Sequence, residues 1–151
     1  MKRIVYSIYV DIPATQHFGN SKNKNDTVKK AKETVNAFKE HYNKLVDSKE
    51  AYAYKIGADF KMYTYNDEYI KWQQQFTSDF PEFTGYEVIN FYKIYALNEL
   101  AKDYDEILYL DFDAVPLTDE SFFDAWDLSK GMCVLHNNNA INKNLRVNHS
   151  I

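Results

Sequence analysis

Four apolar residues, Ile107-Leu108-Tyr109-Leu110, stand between two acidic stretches, Asp103-Tyr104-Asp105-Glu106 before them and Asp111-Phe112-Asp113 after. The run is too short for a helix of ordinary length, and no polar residue alternates with the apolar ones as it would in a strand with one wet face. The pattern fits a central parallel strand covered on both sides. Parallel strands are joined by crossovers of a dozen or more residues, so helices must lie elsewhere in the chain. This points to an α/β protein, a mostly parallel sheet flanked by helices.

The rest of the chain reads in the same terms. Lys2 to Val10 is dense in β-branched and aromatic residues and stops at Asp11 and Pro13, which predicts a first strand. His17 to Asn25 is polar and contains Gly19, a long loop. Val28, Ala31, Val35, Phe38, Tyr42 and Leu45 then recur at spacings of three and four, an amphipathic helix with Asp26 or Thr27 as its N-cap. Glu50 to Ile56 reads as a second, short helix ended by Gly57, and Asp59 to Tyr65 as a strand. A helix is predicted over Asp67 to Phe76, a loop over Thr77 to Gly85, and a helix apolar on nearly every side, buried next to the sheet, over Tyr86 to Ala101. After Pro116, Ser121 to Trp126 has room for one or two helical turns, and Gly131 to Leu135 for a short strand.

At 151 residues the chain has the length of one compact domain, and 45% apolar with 17% aromatic residues is enough for a core. Of 18 cations only Arg3 and Arg146 are arginine, and the lysines are scattered, which argues against a nucleic-acid module. Cys133 is the sole cysteine, so an internal disulfide is impossible and a cysteine-based zinc site is disfavoured. No run approaches the roughly 18 apolar residues of a membrane span. The start is interrupted by Asp11 and reads as a strand rather than a signal segment, and a cytoplasmic protein is the expectation.

In open α/β sheets ligands bind beyond the carboxyl ends of the strands, and Asp111 and Asp113 occupy that end of the apolar run. Asp103 and Asp105 repeat the spacing at the opposite end, about 17 Å away at roughly 3.3 Å per residue. Only one pair can face the cleft. If the chain stays extended, Asp111 and Asp113 share a side of the strand and can present two carboxylates to one hard cation, magnesium or manganese. A nucleotide diphosphate beside bare carboxylates would be repelled by on the order of 4 kcal/mol per charge pair at about 4 Å and an effective dielectric near 20. A bridging divalent ion reverses that sign and acts as a Lewis acid toward the departing pyrophosphate oxygen. The plainer alternative is two aspartates capping the turn into Val115-Pro116.

The stretches Phe91 to Leu97, Tyr104 to Val115 and Phe122-Phe123-Asp124 resemble the nucleotide-sugar glycosyltransferases of GT-A fold, with the glycogenin-like family 8 as the nearest pattern. The likeness is good over residues 86–135 and loose before them. It implies a Rossmann-like GT-A sheet whose Asp-x-Asp pair, Asp111 and Asp113, binds manganese or magnesium and the donor diphosphate. It implies further that Lys93 approaches the phosphates, and that Tyr9, Val10 and Asp11 at the end of the first strand contact base and ribose. A UDP-sugar is the favoured donor, the acceptor is an unspecified glycan, protein or small molecule, and the sugar's configuration is retained.

Two features depart from that family. Only 38 residues follow Asp113, so the segment that supplies a histidine ligand and the acceptor cleft has no counterpart. The expectation is a chain truncated after the motif, with an incomplete C-terminal half, completed by a missing region or a partner chain or retaining donor binding alone. His136 follows the aspartates too soon to be that ligand, Asn137 to Asn139 read as a turn-rich loop with the lining of a sugar pocket as the alternative, and Lys93 has the alternative of snorkelling from a buried helix. His41, Trp72 and Trp126 read as surface or packing residues. Haloacid-dehalogenase-like phosphatases share the strand followed by Asp-x-Asp, with Asp111 then a nucleophile and Asp113 an acid/base. Their motif usually lies on the first strand and needs a lysine and a further acidic pair, commonly far more than 38 residues downstream; Lys143 is followed by no acidic residue.

Overall fold

A computed structural model of the chain describes residues 1–12, 24–83 and 85–132. They belong to two compact units, Met1–Asp119 and Glu120–Ile151. The first runs β1 (Arg3–Tyr9), α1 (Lys24–Lys55), β2 (Asp59–Thr64), α2 (Asp67–Asp79), α3 (Gly85–Leu100) and β3 (Glu106–Tyr109). The second holds α4 (Phe122–Ala125) and a 3-10 turn at Leu128–Lys130, where the Asp127 carboxylate accepts from the Ser129 amide at 3.2 Å.

The sheet is parallel throughout its described strands, in the order β2-β1-β3. Ile4 aligns with Asp59 on one side and Ile107 on the other. The fold is therefore mixed α/β, a small parallel sheet between helices, as the apolar runs predict. The assignment of the central strand is corrected. β1 carries an unbroken buried stretch from Ile4 to Ile8, whereas β3 lies at an edge of the described sheet and buries only Leu108 fully. Two similar apolar runs compete for the centre, and pairing rather than composition decides between them.

Side chains alternate across β1 and meet a different layer on each face. Ile4, Tyr6 and Ile8 join the core shared with α2 and α3. Tyr6 meets Tyr63 of β2 edge-on at 6.0 Å, Tyr63 meets Tyr92 of α3 at 5.8 Å, and Tyr92 meets Tyr69 of α2 at 4.9 Å. On the other face the Tyr9 ring packs against Phe38 and Tyr42 of α1. Aromatic edge-to-face pairs of this kind add to the burial of their large surfaces.

Several expected boundaries move. The two helices expected before Gly57 are one helix of 32 residues, because the stripe ending at Leu45 continues in phase through Lys49, Tyr52 and Ile56. Asp26 and Thr27 lie inside its first turns rather than at a cap, and Lys24 and Asn25 are helical rather than loop. The helix ends as a Schellman motif: Gly57 donates to the Tyr54 carbonyl at 3.2 Å and Ala58 to Ala53 at 2.9 Å, with Gly57 at φ +68°. α2 begins at an Asn66 cap whose side chain accepts from the Tyr69 amide, and it runs three residues past the expected end at Phe76. α3 buries a single stripe, Val88, Tyr92, Ala96 and Leu100, and leaves Phe91 and Ile94 exposed, so it is not enclosed on every side. Gly131 and Met132 are not in a strand; Cys133 to Leu135, His136, Asn137 to Asn139 and the tail lie outside the described residues, as do His17 to Asn23.

Candidate functional site

The chain leaves β1 through α1 on one face of the sheet to reach β2, then returns through α2 and α3 on the other face to reach β3 on the far side of β1. The connections thus diverge between β1 and β3, and beyond the carboxyl ends of such neighbouring strands an open sheet leaves a crevice. A cleft of about 260 Å³ lies at that point. Its walls include Tyr9, Val10 and Asp11 after β1, Lys93 from α3, and Asp111 and Asp113 after β3. All six residues singled out from the sequence border this one cavity. Asp105 is at the opposite edge, where its carboxylate accepts from the Lys2 amide at 2.6 Å.

The acids are not on an extended strand. The β1–β3 ladder closes with the Leu110 amide donating to the Tyr6 carbonyl at 3.0 Å. The Ala114 amide then donates to the Asp111 carbonyl at 3.0 Å, which turns the chain over Asp111 to Ala114. Both residues nevertheless border the cleft. The turn is held by backbone, so the Asp111 carboxylate is not used to cap it: its Oδ1 accepts from the Tyr109 hydroxyl at 2.7 Å and from Lys93 Nζ at 3.0 Å. Burial pushes the Asp111 carboxyl up, but the hydrogen bonds from Tyr109 and Lys93 together with the positive charges of Lys93 and Lys49 outweigh it and leave the group below its ordinary value. Asp113 is exposed.

Lys93 is held as much by an aromatic ring as by charge. Its ammonium lies 4.9 Å from the Tyr109 ring centroid, and the side chain is 23% exposed, so it does not snorkel freely to solvent. The Tyr109 hydroxyl is raised well above its ordinary range, chiefly by burial and then by its bond to Asp111. Asp11 pairs with Lys39 of α1 at 2.9 Å. Tyr9 offers little free ring surface, because it stacks on Phe112 at 4.5 Å and 21°, and its buried hydroxyl has no partner among the described residues. Trp72 packs against the core formed with α2 and α3.

The residue between the two acids is the best-anchored part of the turn. Phe112 is 5% exposed and is gripped by Tyr9, Phe38 and Tyr42. Its carbonyl accepts from Lys49 Nζ at 2.7 Å, and that ammonium also donates to the Leu45 carbonyl at 3.1 Å. Sequence reasoning missed Lys49, Tyr109 and Phe112. A signal for Lys49 exists: a lysine seven residues after Tyr42 and four after Leu45, in phase with the apolar stripe of α1. Splitting that helix at Leu45 hides it.

Among the described residues no three His, Cys, Asp or Glu side chains come together as a metal cluster. Asp111 and Asp113 therefore supply at most two protein ligands. Two carboxylates suit a hard cation such as magnesium or manganese, which keeps waters and takes further oxygens from other groups. Lys93 competes with such a cation for Asp111. Searched against protein families, characterised proteins and solved structures, the chain matches none of them.

Proposed function

We propose that the cleft binds a nucleoside diphosphate sugar, a UDP-sugar in the favoured case, together with a divalent cation, and that the protein is a glycosyltransferase of the GT-A type. The observation that carries this reading is the convergence of the β1 end, Lys93 and the Asp111–Asp113 turn on one cavity at the carboxyl edge of a parallel sheet. In this reading Asp113, exposed on the turn, takes the cation, and Asp111 assists directly or through water. The cation, when bound, neutralises diphosphate charge and polarises the oxygen that departs from the sugar. A cation at Asp111 releases Lys93 from its ion pair, and the freed ammonium is within the same cleft to meet a phosphate oxygen. Ile8, Val10 and Ile89 line the same cleft as the apolar wall for the nucleoside, and Asp11 lines it beside them.

Calorimetry with manganese and UDP tests the reading. Wild-type protein should bind the pair, with affinity at least tenfold lower in the absence of metal, and Asp113→Ala should lose the metal-dependent part while remaining folded at the temperature of the measurement. Failure of the wild type to bind manganese and UDP, or equal binding without metal, overturns it. Release of UDP from a UDP-sugar in the presence of manganese then separates a transferase from a module that only binds donor. Hydrolysis of a simple phosphate ester, lost in Asp111→Asn, would instead favour the phosphatase alternative.

A further inference from the structure

Lys49 has no exposed surface, an unusual place for an ammonium group. It projects from α1 under the turn that carries the two acids, and its Nζ bonds to two carbonyls, Leu45 in its own helix and Phe112 between Asp111 and Asp113. A buried ammonium is costly unless it is hydrogen-bonded and compensated by nearby charge. Here burial lowers its proton affinity while the carboxylates of Asp113 and Asp111, in that order, act to restore it. The ammonium is also 5.4 Å from the centroid of the Phe112 ring. Nothing in the ordinary stability of an amphipathic helix calls for a lysine at this point of its stripe; leucine or methionine would fill it at no electrostatic cost.

We propose that Lys49 is a positioning residue for the cation and diphosphate site: by holding the Phe112 carbonyl it fixes the peptide from which both acidic side chains spring, and it places one fixed positive charge behind them. The inference rests on the functional reading above for its consequence, but not for the clamp itself. Phe112 is then gripped at two points, its ring by Tyr9, Phe38 and Tyr42 and its carbonyl by Lys49, while Asp111 and Asp113 on either side border the cleft. Without the clamp the two carboxylates would have to be ordered at the moment of binding, and that ordering would weaken the complex.

Lys49→Met, of similar length and without charge or donor, tests both parts. Amide hydrogen exchange reads the clamp: the Ala114 amide, bonded to the Asp111 carbonyl, should exchange at least tenfold faster than in wild type, while the Leu110 amide, bonded to Tyr6 in the ladder, should keep its protection. Calorimetry below the melting temperature reads the consequence: binding of manganese with UDP should weaken at least tenfold, and Lys49→Arg, which keeps charge and donors, should recover most of it. If Lys49→Met does not fold, Lys49→Leu, which also lacks charge and donor, carries the same comparison. Unchanged Ala114 exchange, or equal acceleration at Ala114 and Leu110, overturns the clamp. Faster Ala114 exchange with unaltered manganese and UDP binding overturns the positioning role. Absence of manganese and UDP binding in wild type defeats the functional reading and the positioning role with it, and the exchange result still decides the clamp.

Discussion

At the residue scale, the chemistry of the cleft is set by which groups already hold Asp111. Its carboxylate is paired with Lys93 and bonded by Tyr109, so its pKa in the folded chain lies below the ordinary 3.8. The paired form therefore adds stability at pH values well above 3.8, and that contribution fades as the pH falls through 3.8 toward the folded value. Tyr109→Phe removes one of the two bonds, and the Asp111 carboxyl should then titrate at higher pH. Carbon NMR of the aspartate carboxyls, assigned with Asp111→Asn, checks this; an Asp111 midpoint unmoved by the substitution would mean that Tyr109 does not contribute to it and that the lysines do.

At the scale of elements, two positions separate backbone from side-chain causes. Gly57 ends α1 at φ +68°, and a Cβ built there meets nothing within 4 Å. Gly57→Ala should thus cost only the backbone strain, about 1 kcal/mol, read as a small fall in the urea midpoint with an unchanged slope. A loss of several kcal/mol would indicate crowding that the open space at this turn argues against. Tyr92 on α3 has no exposed surface, and its hydroxyl has no partner among the described residues. An unsatisfied buried hydroxyl is a burden on the fold, so Tyr92→Phe should leave stability unchanged or raise it by up to about 1 kcal/mol. A marked loss in thermal melting would reveal a hidden hydrogen bond.

At the scale of the whole molecule, the unusual property is how much tyrosine the interior holds: Tyr6, Tyr52, Tyr63, Tyr69 and Tyr92 are all buried. Of 13 tyrosines in the chain, Tyr6, Tyr69, Tyr92 and Tyr109 are shifted upward chiefly by burial, Tyr69 to about 12 and the others further. Groups raised in the folded state above their unfolded value of 10.0 stabilise the fold below that value and withdraw the support as pH climbs from it toward the higher folded values. The protein should therefore unfold in alkali, with phenolate absorbance from these four rings appearing together with the loss of circular dichroism. Ionisation of every tyrosine near pH 10.0 with the dichroism intact would contradict the burial of these four rings.

The class of fold was legible from short apolar runs separated by helical periodicity, because burial on both faces of a parallel strand leaves a local mark in the residues themselves. The end of β3 was legible in the same way, since Asp111 and Asp113 break an apolar run abruptly. Which strand is central was not legible: β1 and β3 have similar runs, and the choice depends on hydrogen bonding between segments about a hundred residues apart. Nor could the sequence show that Asp111 faces Lys93 and Tyr109, that the acids sit on a turn, or that a lysine in α1 reaches the carbonyl between them. Periodicity records which way a side chain points from its own element. Only the packing of α1, α3 and the β3 turn around the end of β1 decides what it meets there.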